Sequence, residues 1–391
     1  MSTSTSETDP GPATDAAPEA ATDAAIDPKT APLRSLCTDN FAPILEELGA
    51  SVFITTYQAG KLVVLRPRGQ TLNTHFRSFN SPMGMALQGD RLSIGTPGFV
   101  SEFRNVPAVG QRQEPLGEID ACFLPRATHV SGNVQVHEMA YDADGVLWFA
   151  NTRFSCLSTL DGIHSFLPRW QPSFITQLAP EDRCHLNGLG MREGRPRFVT
   201  ALGMTDSAGG WRVNKRDGGV LLEVPSGKVI ASGLSMPHSP RWYDDRLWVL
   251  ESGKGTLSTV DPKTGVTTAI ASMPGFTRGL DFCGPLAFVG LSQVRETAVF
   301  SGLPITEQTE KRSCGVWVVN IHSGKIIAFV EFEDALQEIF AVQVMPGWRN
   351  PDLINDNFSL LLDSFELPLE SLYRVESSYR FLRETNGKGG P

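Results

Sequence analysis

Val136-His-Glu-Met-Ala-Tyr141 begins an apolar, strand-like run with a histidine, and so do Cys184-His-Leu-Asn-Gly-Leu189 and Pro237-His-Ser-Pro-Arg-Trp242. The three stretches follow one another about every 50 residues. A period of this size, with several strand-like runs in each unit, is typical of a β-propeller. The first strand of each propeller blade lines the central axis. Residues at equivalent positions of successive blades are therefore expected to converge, although they are distant in the chain.

Segments of this kind occur six times, at residues 82–87, 137–141, 187–191, 239–243, 278–282 and 340–344. The last has no clear outer strands after it, whereas the β-rich residues 51–57 and 62–65 have no inner strand before them. If the two ends form one blade together, the seam leaves no free sheet edge. The sequence thus predicts an all-β fold, a six-bladed β-propeller closed by N- and C-terminal segments that share one blade.

A second repeated element supports this repeat. An acidic or amide residue, two variable residues, Ser or Thr, and then Gly occur together at 223–227, 261–265 and 320–324. This is hairpin chemistry, because the first side chain caps the turn and glycine adopts the left-handed conformation.

The chain divides into three parts by composition. Residues 1–31 are rich in Ala, Thr, Ser, Pro and Asp and are predicted to be a disordered tail. Residues 32–355 are predicted to form the propeller, and residues 356–391 a C-terminal extension. The long intervals 98–134 and 291–313 are expected to be loops over one face.

The composition argues against several function classes. With a net charge of −9, the chain has no excess of basic residues that would attract nucleic acid or an anionic membrane. No apolar stretch reaches the roughly 18 residues that span a bilayer. The first residues do not resemble an export signal, and the six cysteines contain no CxxC pair. A cytoplasmic location with reduced thiols is therefore expected.

The three histidines at the strand starts are the candidate metal ligands. If His137, His185 and His238 converge on the axis, their imidazoles suit a divalent transition metal such as Zn, Mn or Fe. However, the histidines precede the equivalent positions of their inner strands by different distances: His137 by one residue, His185 by three and His238 by two. Because neighbouring strand positions face opposite ways, the sequence alone does not show that all three point to the axis.

Other polar residues near the strand starts complete the candidate site. Glu138 and Glu338 are predicted as catalytic acid or base, together with Arg278. Guanidinium and amide groups suit an anionic substrate, and the predicted binding residues are Arg153, Arg183, Arg241 and Asn187.

Two other roles for the histidines stay open at this point. They are also compatible with structural plugs that bond to the backbone of neighbouring blades, or with a metal-free site that uses one imidazole as acid or base.

Several stretches, including Thr55-Thr-Tyr-Gln-Ala-Gly-Lys-Leu62 and Ala179-Pro-Glu-Asp-Arg-Cys-His-Leu-Asn-Gly188, resemble an uncharacterised bacterial family of conserved hypothetical proteins. The other matching stretches are residues 147–157, 234–243, 275–281 and 290–296. The resemblance implies a propeller-like fold and transfers no activity.

The architecture is more distantly similar to gluconolactonase-like and strictosidine-synthase-like six-bladed propellers, several of which hold a divalent cation on the axis. Their sites favour carboxylate and amide ligands, so the histidines here argue against calcium and lactone hydrolysis. Seven-bladed pectate-fragment lyases, which hold manganese with histidines, are a closer chemical analogy.

The leading hypothesis is a metal-dependent enzyme that acts on a small anionic substrate at the propeller axis. Hydrolase, lyase, isomerase and oxygenase chemistry all remain open. The alternative is a non-catalytic propeller that binds a ligand or a protein partner through its loop face.

Overall fold

Six antiparallel sheets surround one axis as the blades of a β-propeller, which confirms the predicted fold class. The computed structural model describes residues 33–293, 302–308, 311–333 and 335–367. The predicted tail, residues 1–31, and residues 368–391 of the predicted extension lie outside these ranges. No helix within the described ranges has the length and apolar character that crossing a bilayer requires.

Each blade begins with an inner strand at the axis. From blade 1 to blade 6 the inner strands are Met85–Gln88, Val136–Tyr141, Leu186–Arg192, Pro237–Tyr243, Phe276–Cys283 and Ala341–Pro346. All six predicted segments overlap them. The boundaries differ by a few residues, since apolar pattern does not mark strand ends sharply.

Three further strands complete each blade. In blade 1 they are Arg91–Thr96, Gly98–Asn105 and Ala121–Gly132. In blade 2 they are Leu147–Asn151, Cys156–Thr159 and Leu167–Trp170. In blade 3 they are Arg195–Ala201, Gly219–Glu223 and Val229–Leu234. In blade 4 they are Arg246–Glu251, Thr256–Val260 and Thr267–Ser272. In blade 5 they are Leu286–Ser292, Cys314–Asn320 and Ile326–Phe332. In blade 6 they are Ala50–Thr56, Lys61–Arg68 and Thr71–Ser78.

Two short strands extend the outer edges of two blades. Ser35–Cys37 pairs antiparallel with blade 5, and Pro351–Leu353 pairs parallel with blade 1. The helices in the described ranges are short: Phe41–Leu48, Pro107–Gly110, Pro304–Gln308 and Phe358–Leu362, with 3₁₀ turns at Gly210–Asn214 and Ser252–Lys254.

Blade 6 closes the ring in the predicted way. Its inner strand, Ala341–Pro346, pairs antiparallel with Ala50–Thr56 over six residue pairs, from Ala50–Pro346 to Thr55–Ala341. The seam is apolar, because Val52, Ile54, Val342 and Val344 are buried in one core cluster. Strands from the two ends of the described chain thus form one continuous sheet.

A hydrogen bond from a hydroxyl group joins neighbouring blades at several points. The hydroxyl lies at or just after the end of a second strand and donates to a backbone carbonyl at or just before the start of the next inner strand. The bonds run from Thr55 to Met83 (2.6 Å), Thr152 to Leu186 (2.6 Å), Ser252 to Thr277, and Ser292 to Ile339 (3.2 Å). Between blades 3 and 4 an amide replaces the hydroxyl, since Asn187 Nδ2 donates to the Pro237 carbonyl at 3.1 Å.

The repeated hairpin turns are also confirmed. Gly227, Gly265 and Gly324 have positive φ angles of 73°, 75° and 68°. Each donates its backbone N–H over 2.8 Å to the carbonyl of the residue four positions earlier, the acidic or amide residue of the motif.

The expectation of a loop over residues 98–134 is wrong. This interval contains Gly98–Asn105 and Ala121–Gly132, two outer strands of blade 1. Their side chains are largely exposed or half-buried, so the apolar alternation that marks a strand is weak here. Of the other interval, residues 294–301 and 309–310 lie outside the described part of the chain, and Pro304–Gln308 is a short helix.

The bond from Thr55 to Met83 is a direct test of the seam. Thr55→Val keeps the shape of the side chain but leaves the Met83 carbonyl without its partner, and it also removes the acceptor of the Ala341 N–H. We expect a loss of about 1–3 kcal/mol in the free energy of unfolding, measured by urea denaturation. Ser51→Ala, in the same strand, is the control, because the buried Ser51 hydroxyl has no hydrogen-bond partner among the described residues. Equal effects of the two substitutions would contradict the structural role of the Thr55 bond.

Candidate functional site

Two cavities follow one another along the propeller axis. The upper cavity, about 280 Å³, lies at the starts of the inner strands, and the lower cavity, about 260 Å³, lies along their middle. Four side chains line both cavities and form the floor of the upper one: His137, His238, Arg278 and Phe340. Three polar side chains and one aromatic ring therefore separate two spaces along the axis.

All three predicted histidines line the upper cavity. The ring centroids of His137 and His185 are 4.8 Å apart, with the rings nearly perpendicular. His238 lines the same cavity from blade 4. The ring closure inferred from the repeat thus brings residues 101 positions apart, His137 and His238, into one space.

Backbone irregularities explain why the offset histidines converge. The ladders of blades 2, 3 and 4 each shift register near the start of the inner strand, and blade 5 does so beside Arg278. A bulge of this kind reverses the alternation of side chains and re-aims them. His185 itself has a positive φ of 51°. In blade 5 the bulge contains Gly279, with φ of 80° and Val342 N only 2.8 Å from where a Cβ would lie.

His137 and His238 are held in the same way. Nδ1 of His137 lies 3.0 Å from the Gln135 carbonyl and 2.8 Å from the Thr152 hydroxyl. Nδ1 of His238 lies 2.9 Å from the Met236 carbonyl and 2.8 Å from the Ser252 hydroxyl.

The hydrogen-bond network assigns the proton in both rings. Each hydroxyl donates its only proton to the next blade, so it accepts from the imidazole, and Nδ1 carries the ring proton. In the neutral ring, Nε2 then has the free lone pair.

His185 has a carboxylate partner instead. Its Nδ1 lies 2.9 Å and 3.1 Å from the two oxygens of Asp182, which only accept, so Nδ1 again carries a proton. Trp211 Nε1 donates to the same carboxylate at 3.0 Å, and its ring lies 4.5 Å from the His185 ring. All three imidazoles are therefore fixed through Nδ1.

Two of the imidazoles are strongly biased toward the neutral form. Burial, followed by the charges of His185 and Arg278, lowers the pKa of His137 well below its ordinary value. Burial and then Arg278 do the same to the pKa of His238. A neutral imidazole is the form that binds a metal or accepts a proton.

Arg278 and Glu338 form a buried pair at this floor. Arg278 NH1 donates to Glu338 Oε1 at 3.2 Å, and the guanidinium carbon lies 3.6 Å from the centroid of the Phe340 ring. Burial lowers the pKa of Arg278 and raises that of Glu338, while the opposite charge of the partner counteracts each shift. The Glu338 carboxyl group also accepts from the Gln58 backbone N–H, and its Oε2 atom is buried.

Three other predicted site residues line the lower cavity: Glu138, Asn187 and Arg241. Glu138 accepts from Arg241 and from the Leu189 N–H at 3.0 Å. Asn187 donates to the Pro237 carbonyl and accepts from the Thr200 hydroxyl at 2.6 Å. Their polar atoms join blades 2, 3 and 4, which favours a structural role for them.

Arg153 and Arg183 are not among the described residues that line either axial cavity. Arg183 is buried and makes ion pairs with Glu181 at 2.9 Å and Asp206 at 2.7 Å. The backbone of Arg153 bonds to Val134 and Asp182. Their predicted role in substrate binding thus stays a prediction, and the described cavity linings do not support it.

The upper cavity also contains residues that sequence reasoning did not assign to it, chiefly Tyr57, Asp182, Trp211 and Arg212. Tyr57 and Asp182 lie within two of the stretches quoted for the family resemblance, so this signal was available. Trp211 and Arg212 lie on the 3₁₀ turn Gly210–Asn214, whose position over the axis no repeat pattern indicates.

The described residues contain no ready-made group of three or more His, Cys, Asp or Glu side chains that would hold a metal ion. Metal binding by His137, His185 and His238 therefore stays a prediction. A single ion with bonds near 2 Å requires Nε2 atoms within about 4 Å of one another.

A family model described as "Domain of unknown function (DUF4915)" matches residues 39–354, from the first helix to the edge strand of blade 1. The chain belongs to this family. Its match spans all six blades of the propeller. No curated protein matches the DUF4915 chain.

Two solved structures illustrate what the chain is similar to. A chain of the nidogen–laminin complex is 9% identical with a TM-score of 0.47, and the match covers 76% of this chain and 99% of that one. A protein of unknown function from Bacteroides caccae is 8% identical with a TM-score of 0.48, covering 76% and 98%. These comparisons do not show a specific relation to gluconolactonase-like or strictosidine-synthase-like propellers.

The lowered pKa of His238 predicts a pH dependence of stability. Below about pH 6.5 the unfolded histidine takes up a proton that the folded protein excludes, so stability falls as the pH falls. His238→Asn keeps a donor for the Met236 carbonyl but does not titrate. Relative to this variant, wild-type protein in EDTA should lose about 1.4 kcal/mol of unfolding free energy per pH unit below 6.5. Parallel urea-denaturation curves from pH 7.5 to 5 would contradict a neutral, buried His238.

Proposed function

We propose that this protein is an enzyme that acts on a small anionic substrate in the upper cavity, with a divalent transition metal bound by His137, His185 and His238. The observation that carries the proposal is the convergence of three Nδ1-anchored imidazoles on one cavity. Zn, Mn and Fe are the candidate metals because imidazole is a preferred ligand of each.

The anchoring of the rings supports metal binding. Histidine ligands commonly donate the other ring N–H to a carboxylate or a backbone carbonyl, which orients the ring and increases its basicity. Asp182 supplies such a carboxylate to His185, and the Gln135 and Met236 carbonyls supply the equivalent acceptors to His137 and His238. Binding one ion would still require the Nε2 atoms to draw together.

The charges around the cavity favour an anionic substrate. Arg278 lies at the floor, and Arg212, which is half-exposed, lies over the Trp211 ring at 4.4 Å. Two carboxyl groups, those of Asp182 and Glu338, also line the cavity. The Asp182 carboxylate accepts hydrogen bonds from His185 and Trp211. Burial moves Glu338 toward its neutral form. A bound metal would add further positive charge, which an anionic substrate offsets.

Glu338 is the favoured acid–base residue. A carboxyl group with a raised pKa exchanges protons more readily near neutral pH than an exposed one. Its side chain lines the same cavity as the three imidazoles. Glu138, the other predicted acid or base, lies in the lower cavity and already has partners for both oxygens.

A non-catalytic propeller that binds an anion without metal is the second candidate. The absence of a ready three-ligand group among the described residues favours it. In that case the neutral imidazoles and Arg278 would supply only hydrogen bonds and charge to the ligand.

Metal titration separates the two candidates. Calorimetric titration of chelator-stripped protein with Zn²⁺, Mn²⁺ and Fe²⁺ should show one tight site for at least one of these metals. His137→Asn and His238→Asn each keep the donor near Nδ1 but remove Nε2. The affinity for the metal should fall by about a hundredfold or more, because even the loss of a group that only hydrogen-bonds to a ligand costs about 10–100-fold.

His129→Asn is the matched control, since His129 lies on an outer strand of blade 1 and bonds to the Ser165 carbonyl. Its metal affinity should equal that of the wild type. If no metal binds, or if all three variants bind equally, the metal-dependent proposal fails and the metal-free candidate remains.

A further inference from the structure

One wall of the upper cavity is apolar and continuous. It is formed by Leu202, Trp211, Met236 and Phe276, which pack in one cluster. Each is at most 4% exposed, yet each borders the cavity. These side chains come from blades 3, 4 and 5, or from loops attached to them.

The apolar wall and the polar floor are separate surfaces. His137, His238 and Arg278 border both cavities, whereas none of the four wall residues is among those that line the lower cavity. The wall therefore stands on one side above the floor. A molecule that fills this space contacts charge at one end and hydrocarbon along its side.

The size of the space is sufficient for a small ligand. A cavity of about 280 Å³ accommodates a compact metabolite whose apolar group reaches the wall from the floor.

We propose that the ligand of the upper cavity is a monocarboxylate with a short alkyl or aryl group. Its carboxylate would lie on the floor at Arg278 and its apolar group against Leu202, Trp211, Met236 and Phe276. A ligand with a single negative charge is favoured because the floor contains one guanidinium group, that of Arg278. NH1 of this group already donates to Glu338. This inference rests on the proposed function, since it places the substrate anion in the same cavity.

A homologous series of ligands tests the proposal. Dissociation constants of acetate, butanoate, hexanoate and 3-phenylpropanoate are measured by ligand-observed NMR titration on the full chain, with and without Zn²⁺. Burial of each added methylene should tighten binding about fourfold until the cavity is full. Arg278→Gln should weaken the whole series.

Two matched variants locate the apolar group. Met236→Gln places an amide in the wall with little change in length and should flatten the dependence on chain length. Met139→Gln is the control, because Met139 is similarly buried, at 4% against 2% for Met236, but lines the lower cavity. It should keep the wild-type dependence. Thermal unfolding of both variants checks that they remain folded.

The outcomes distinguish the inference from the proposed function. Equal affinity for acetate and hexanoate, lost in Arg278→Gln, would overturn the apolar subsite and leave an anion site at the floor. A chain-length dependence that Met139→Gln removes and Met236→Gln keeps would also overturn it. No binding of any member would remove both the inference and the small-anion proposal.

Discussion

The pairing of Ala341–Pro346 with Ala50–Thr56 is the constraint on which the molecule depends. It turns six sheets into a ring, and only a ring brings the starts of all inner strands to one axis. The hydroxyl bonds between blades strengthen this arrangement, because each satisfies a buried carbonyl that water does not reach. The packing of large rings across blades, such as Trp248 against Phe282 at 5.4 Å, fills the space between them. The site is therefore a product of closure and not of any single blade.

The same polar atoms serve the fold and the candidate site. Thr152 and Ser252 each donate to the next blade and accept from a histidine, so the links that join blades also orient the imidazoles. One ring nitrogen belongs to the scaffold and the other remains available for chemistry. The structural-plug reading and the functional reading of the histidines are thus compatible, because they use different atoms of one ring. Strand-start bulges complete the arrangement by turning offset residues toward a common space.

The repeat predicted the fold well because the inner and second strands are apolar and recur at a regular interval. Blade 6 and the hairpin turns ending in Gly227, Gly265 and Gly324 were predictable for the same reason. The outer strands at 98–134 were not, since exposed strands carry little apolar pattern.

The convergence of the three histidines was less predictable than the fold. Strict alternation of side chains along a strand argues against it, and the bulges that overcome this alternation leave no reliable pattern in a single sequence. Arg153 and Arg183 lie close to the inner strands in the chain, but such proximity does not predict the direction of a side chain, and Arg183 forms ion pairs with Glu181 and Asp206. Trp211 and Arg212 reach the site from a turn outside the repeat.

The order of strands in blade 6 has a consequence for biosynthesis. Ala50–Thr56 is synthesised nearly 300 residues before Ala341–Pro346, the strand that covers its edge. Throughout that interval a three-stranded sheet exposes an unpaired edge, which is a template for intermolecular association. Blades 1 to 5 are able to form one after another during translation, whereas the axial cavities gain their last wall only when the sixth inner strand docks. A nascent chain that lacks Ala341–Pro346 therefore has incomplete axial cavities, and the uncovered edge of blade 6 makes this the stage most prone to association.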